Sequence, residues 1–512
     1  METIRTEPRH SVSGTASAKE PRTAPSKWVV LAVVALGAFM ANLDASIVNI
    51  GLPTIARAFG VPPGGAIEWI IIAYLLIIAA LLLSVGRLAD VAGRKRIWIT
   101  GLTLFLIGSA LCGAASALLP LILARGLQGI GAAMLMTLGP ALLTQIFPPS
   151  ERGRALGGLA VAVALGASAG PSAGGLIIAH LSWHWIFWVN LPIGVVNLGA
   201  SALFLSERGS RERGRFDLPG AFLLGAALVA CTLGLSFGQE WGWTSPRLVT
   251  VLAVGIGALV ALAWVERRAA QPLISAILLR NRVFLAANAS LILGVLGLFA
   301  VSFLVPFYLE ALRRVSPVEA GLIMSALPLT LALVAPISGA LADRFGPRWL
   351  TFSGLALACL GLLLLARLDA HTSIVAVILC LVVTGGGQGM FQAPNNSAIM
   401  GAASSDQQAS AAGFLATGRV VGQSLSVAVA GAIFAAGGGA LAGQALLRAG
   451  PLGSGQAPAL QAVFLGSFHA VFLACAAMVA LGCAATLGNS SKEAQPHLRY
   501  PKQISDQEGL DL

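Results

Sequence analysis

Charge is what this chain has least of. Only 10% of its 512 residues are Asp, Glu, Lys or Arg, and 57% are hydrophobic, where a water-soluble domain carries roughly a quarter charged residues. So few charges cannot cover a water-facing surface, and the mean hydropathy of +0.84 points to lipid as the solvent. Lysine is scarcer still. Lys19, Lys27, Lys95, Lys492 and Lys502 are the full set and none follows a glycine, so there is no phosphate loop ending in Gly-Lys-Ser/Thr. Gly385-Gly386-Gly387-Gln388-Gly389 sits inside an apolar run and lacks that lysine. No connection between apolar runs is long enough for a nucleotide-binding domain. The six cysteines form no CxxC pair and lie in apolar runs, which argues against a metal site or a disulfide framework. Clustered acids or histidines at one depth, which a membrane-embedded enzyme needs, are missing as well. The net charge of +11 is therefore read as basic loops facing an anionic leaflet, and not as a nucleic-acid footprint.

Long apolar runs are what the chain does have. A span needs about 20 apolar residues, and fourteen runs qualify, near 28–50, 69–85, 97–117, 119–147, 156–181, 186–205, 218–237, 248–265, 283–309, 320–341, 350–368, 374–399, 413–436 and 463–487. With the N-terminus inside, most of the 32 Lys and Arg fall in inner loops and tails. The positive-inside rule then places both termini in the cytoplasm and the chain in the plasma (inner) membrane. Residues 1–26, polar and rich in Ser, Thr and Pro, read as a disordered cytoplasmic tail and not as a signal peptide.

A short motif occurs twice. Gly86-Arg87-Leu88-Ala89-Asp90-Val91-Ala92-Gly93-Arg94 follows the second run, and Gly339-Ala340-Leu341-Ala342-Asp343-Arg344-Phe345-Gly346-Pro347 follows the tenth. An offset of eight runs fits two six-span halves separated by a two-span insert. The expected division is 27–205 for the first six-helix bundle, 206–282 for two linker helices with their flanking loops, 283–487 for the second bundle, and 488–512 for a cytoplasmic tail. The fold class is an all-α polytopic membrane protein of 14 helices. In each motif copy glycine gives a tight turn, and Asp90 or Asp343 can accept hydrogen bonds from Arg94 or Arg344. Gly86, Asp90, Gly93, Arg94, Asp343 and Arg344 are the candidate inner gate.

Asp44 lies in the first run beside Asn42 and Asn49. A carboxylate at membrane depth costs about 2.5–3.5 kcal/mol on insertion scales, so it faces a cavity or a partner. Burial favours its neutral form and a nearby cation its charged form, the balance a proton carrier needs. Arg125 in the fourth run keeps its charge and must find acceptors. Gly166, Gly170 and Gly174 repeat every fourth residue beside Pro171 and Gly175, which puts the glycines on one helix face for close packing, with a bend at the proline. Arg419 is a second cation within a run. With Asn42, Asn49, Gln128, Asn395, Asn396 and Gln423 it makes the set of candidate cavity-lining groups. His469 reads as a packing histidine.

These residues in combination resemble the major facilitator superfamily. Gly86–Arg96 is similar to its signature loop, and Asn42–Pro53 to the first-helix motif of 14-span drug:proton antiporters of the EmrB/QacA type. Leu123–Ala133 is similar to the fourth-helix arginine motif. Gly166–Gly175 resembles the antiporter motif G-x-x-x-G-P-x-x-G-G, and Ser182–Gly194 that branch's entry to the sixth span. The resemblance implies the major facilitator fold and alternating access by two bundles. It implies a proton-coupled antiporter, driven by the proton gradient with no cofactor, that exports hydrophobic or monocationic drugs. Asp44 and Arg125 become the coupling pair. The same fold is open to a dedicated exporter of a siderophore, antibiotic or lipid precursor, and a channel or membrane enzyme is a remote alternative. The partners implied are a small amphipathic substrate, protons and the bilayer, with room left for a periplasmic adaptor protein.

Overall fold

The computed structural model describes residues 26–206, 218–242, 244–268, 278–404, 407–448 and 457–487. Apart from Ser26, the tails expected at 1–26 and 488–512 lie outside the described residues, as do the charged stretches 207–217 and 269–277. Every apolar run is helical. The first bundle comprises α1 (Lys27–Phe59), α2 (Trp69–Ala92), α3 (Arg94–Gly113), α4 (Leu118–Ile146), α5 (Arg152–His180) and α6 (Asn190–Phe204). The inserted pair is α7 (Leu218–Trp241) and α8 (Pro246–Arg268). The second bundle begins with α9 (Arg282–Leu298, continued by Ala300–Phe307 and a single π turn, Tyr308–Leu312) and α10 (Pro317–Met324 and Ala326–Phe345). It closes with α11 (Pro347–Leu365), α12 (Ile374–Gly401), α13 (Gln408–Ala436) and α14 (Ala457–Leu487). Among the described residues, thirteen helices are long and apolar enough to cross a membrane, and α7 contributes the shorter apolar stretch Phe222–Gly238.

The two motif copies fold alike. Gly93 (φ 101°) ends α2 and Gly346 (φ 81°) ends α10, each N–H returning to the alanine carbonyl four residues back. A positive φ at a helix end is where glycine costs least, so the repeat marks the same turn in each half. We call the side bearing these turns the motif face. With an even number of crossings, the start of α1 and the end of α14 lie there too.

The helices depart from the apolar runs in three places. α1 continues nine residues past Ile50, through Pro53, to a left-handed cap at Gly60 (φ 66°). Neighbouring helices bury this segment, which is the setting in which a membrane helix tolerates proline. α10 is divided at Ser325, whose hydroxyl donates to the Gly321 carbonyl. A further short helix, Gly439–Arg448, connects α13 to α14 and has no apolar run to announce it.

Each bundle is built on close pairs, α1 with α5 and α3 with α4 in the first, α11 with α12 and α9 with α14 in the second. α7 packs on α8 and also on α2 and α13, so the insert lies along the seam between the bundles. As the glycine spacing implies, Gly166, Gly170 and Gly174 face α1. A Cβ at Gly166 would meet the Phe39 carbonyl, and one at Gly170 would run into the Ser46 hydroxyl. Large apolar side chains such as Leu203, Phe222 and Leu333 point outward, as lipid contact requires.

On the half away from the motif face the bundles meet directly. Arg57 at the end of α1 forms an ion pair with Glu310 in the π turn. The Gly60 carbonyl accepts from Gln444 and Arg448 of the connecting helix. Ser172 of α5 and Ser325 of α10 share a hydrogen bond of 2.7 Å. Beside it, Gly175 lies on the Pro317 carbonyl and Gly321 on the Pro171 carbonyl, so the main chains themselves touch.

Candidate functional site

Asp44 and Arg125 come together at the middle of the first bundle. Arg125 Nη1 donates to Asp44 Oδ2 at 2.7 Å, with side chains 1% and 0% exposed. The other carboxylate oxygen, Oδ1, accepts from Gln128 Nε2 and from Asn190 Nδ2, both at 2.8 Å. Arg125 also donates from Nε to the Ile70 carbonyl of α2 (3.0 Å) and from Nη1 to Gln128 Oε1 (2.6 Å), and its guanidinium lies 4.2 Å from the centre of the Tyr74 ring. Ser109 of α3 accepts from Gln128 and Asn190 and donates to the Phe187 carbonyl. Helices α4 and α6 thus bond the α1 carboxylate directly, and α2 and α3 join the network through Ile70 and Ser109. A buried ion pair is costly unless its remaining polar atoms are bonded, and here nearly all are; Asn190 Oδ1 is the exception.

The local sequence explains how this is positioned. Arg125 and Gln128 are three residues apart on α4, hence on one face, and Gly129 and Gly131 let α2 and α3 approach that helix. Asn190 opens α6. Asn190 and Ser109 are the members that sequence reasoning missed. Neutral polar residues in apolar runs are common, and the available signal was Asn190 standing just before Leu-Pro at a helix start.

The other candidates sort by neighbourhood. Asp90 accepts from Arg94 at 3.0 Å and 3.2 Å, and Arg94 Nη1 also donates to the Ala141 carbonyl of α4 at 3.3 Å. These partners all belong to the first bundle, so the pair ties α2, α3 and α4 together at the motif face. Gly86 packs near Thr137 of α4. Arg344 is in the last turn of α10; the Asp343 side chain lies outside the described residues. Pro171 sits in an unbroken α5. Two groups expected on a cavity wall are sealed in helix packing. Gln128 is 0% exposed inside the Asp44 network, and Asn395, 1% exposed, donates to the Ala287 carbonyl and accepts from Ser290, joining α12 to α9. Asn42 donates to the Ala38 carbonyl on its own helix, and Asn49 is buried. Asn396, Arg419 and Gln423 are half-buried. Arg419 Nη2 donates to Asn396 at 3.4 Å. His469 bonds the Leu368 carbonyl at 2.6 Å, a packing contact.

Two further buried carboxyls lie on the half away from the motif face. Glu68, 0% exposed, accepts from the Gly65 N–H and from Ser236 of α7 and rests on Gly431 of α13. Glu310 holds Arg57 with one oxygen, while its Oε1 is buried without a partner. Both stand at the edges of apolar runs, where a charge reads as an ordinary loop residue.

A family model described as the Major Facilitator Superfamily matches residues 34–316 and 288–504, which takes in both bundles and the insert. The chain belongs to the major facilitator superfamily. It is 36% identical over 416 residues to the riboflavin transporter RibZ of Clostridioides difficile, covering 80% of this chain and 88% of that one. To the multidrug resistance protein Stp of Mycobacterium tuberculosis it is 32% identical, over 80% of this chain and 76% of the other. Among solved structures it is similar to a bacterial homolog of the human lysosomal transporter Spinster in an inward-facing, unoccupied conformation. There the TM-score is 0.64 at 16% identity, over 90% of this chain and 96% of that one. This superfamily member is a polytopic membrane transporter, not an enzyme.

Proposed function

We propose that this transporter exports amphipathic compounds from the cytoplasm in exchange for protons, with Asp44 as the proton carrier and Arg125 as its coupling partner. The observation that carries the reading is the Asp44 network. Three donors converge on one carboxylate, an arrangement suited to the ionised form. Protonation turns an acceptor into a donor facing other donors, so the network must rearrange. Because five helices contribute to it, a proton bound there alters packing among α1, α2, α3, α4 and α6. Arg125 keeps its bonds to Ile70 and Gln128 and stays in place, which leaves α1 as the element that shifts. Main-chain contacts and the Arg57–Glu310 pair close the half away from the motif face. If the motif face is cytoplasmic, as the basic loops argue, this is the state that opens inward. The relative named for multidrug resistance supports drug export.

The relative named as a riboflavin transporter favours a second reading, carriage of one endogenous molecule. A panel of neutral, cationic and anionic dyes in cells producing the protein separates the two, since a dedicated carrier lowers the accumulation of few or none. With wild type, accumulation falls for several dyes and recovers when a protonophore is added. Asp44→Asn abolishes the effect at equal membrane abundance. Full export by that variant would refute the assignment of Asp44.

A further inference from the structure

The second bundle carries a stripe of polar groups that the proton-coupling network does not use. On α13, Gly418 and Gly422 face Ile292 and Val295 of α9, while Gly431 faces Glu68 beside α2. Arg419 and Gln423, one turn apart, stand between those two faces. On α12, Gly389 packs on Val334 and Ala335 of α10, and Asn395 bonds the Ala287 carbonyl of α9. Gln392 and Asn396, again one turn apart, stand between those faces. All four side chains are half-buried, and Arg419 Nη2 reaches Asn396 across the two helices. Arg419 is eleven residues into a 29-residue helix, about 17 Å along it at 1.5 Å per residue, which is close to mid-membrane.

The chemistry of this stripe is one-sided. Among the described residues no carboxylate pairs with Arg419, and its Nε is buried without a hydrogen-bond partner. A guanidinium does not give up its charge, and an unmatched charge at that depth is expensive. An incoming anion supplies what the protein leaves out. The buried acids are less available to a cation: Asp44, Glu68 and Glu310 are all at most 6% exposed, and although Glu310 Oε1 lacks a partner, its other oxygen already holds a cation. Asp44 is occupied by Arg125, Gln128 and Asn190, Glu310 by Arg57, and Glu68 is wedged between Ser236 and Gly431.

We infer that Gln392, Asn396, Arg419 and Gln423 form the half-site that receives the anionic group of the cargo, so that the preferred cargo is an amphipathic organic anion such as an aromatic carboxylate or phenolate. The guanidinium takes the charge. The amides of Gln392, Asn396 and Gln423 offer donors and acceptors to polar atoms on the ring system. This rests on the transport reading only for the existence of a translocated cargo; the direction of transport and the role of Asp44 do not enter.

The test compares two fused-ring dyes of similar size, anionic fluorescein and cationic rhodamine 6G, binding to the full-length protein in lipid nanodiscs with no gradient, read by fluorescence anisotropy. Wild type binds fluorescein more tightly. Arg419→Gln weakens fluorescein by about tenfold or more, the size of one hydrogen bond to a charged group, and leaves rhodamine 6G unchanged or tighter. Arg419→Lys keeps the charge and recovers part of the fluorescein affinity, which a purely structural arginine would not show. Tighter binding of rhodamine 6G, equal or absent binding of both dyes, or fluorescein affinity indifferent to Arg419→Gln overturns the inference. Failure of proton coupling would appear in Asp44→Asn export and leave these affinities unmoved.

Discussion

The two bundles handle a buried arginine in opposite ways. In the first, Arg125 is 1% exposed and its donors go to Asp44, Gln128 and Ile70. In the second, Arg419 meets one amide and keeps an orphan Nε. Both sit at membrane depth on helices of the same length, 29 residues. The difference lies in the company. Arg125 has a carboxylate opposite and four supporting helices, and so forms a closed unit that a proton can disturb. Arg419 has neutral amides only, and so stays open to an outside anion. On the proposed roles, a duplicated scaffold keeps the energy-coupling charge and the cargo-binding charge in separate halves.

Stability measurements break or sharpen this comparison. The largest effect is expected from Arg125→Ala, which strands Asp44 among dipoles with no cation. Loss of one partner of a buried pair costs about 3–5 kcal/mol, read as a lower midpoint of detergent-induced unfolding. Arg419→Gln should move that midpoint by no more than about 1 kcal/mol, because it removes no ion pair. Equal losses in the two variants would erase the distinction. A middle-sized effect follows at Gly170. Gly170→Ala pushes a methyl into Ser46, which itself donates to the Gly166 carbonyl, and overpacking of this kind costs about 1–3 kcal/mol; a neutral outcome would mean that α1 and α5 separate more freely than their packing indicates. A small effect, like that of Arg419→Gln, is expected from His469→Ala, which loses one bond to the Leu368 carbonyl. That amounts to about 1 kcal/mol, with the pH dependence of export unchanged; a displaced pH profile would make His469 a proton relay.

How much of this was legible in the sequence depends on how unusual each residue is where it stands. A lone acid and a lone arginine inside apolar runs are costly enough to announce themselves, so Asp44 and Arg125 could be named before their contact was known. The repeated glycine-aspartate turn marked the two halves because positive φ at Gly93 and Gly346 narrows the choice of residue. Glu68, Arg57 and Glu310 went unnoticed because they stand at the ends of runs, where charge is ordinary. Only the extension of α1 beyond Pro53 and the π turn at the end of α9 bring Arg57 and Glu310 together. Gln128 and Asn395 were placed on a cavity wall because nothing in a linear pattern tells an amide buried between helices from one facing a cavity. The connecting helix Gly439–Arg448 was missed because it is short and not uniformly apolar.

The reciprocal contact of Gly175 on Pro317 and Gly321 on Pro171 behaves as a bearing made of polypeptide backbone. The touching surfaces are main chain, so parting them repacks no large side chain and breaks the bonds of Ser325 to Ser172 and to the Ser168 carbonyl. The same feature makes it intolerant of change. Any residue larger than hydrogen at either glycine wedges the joint ajar, so wear by mutation should first show as leakiness and not as unfolding.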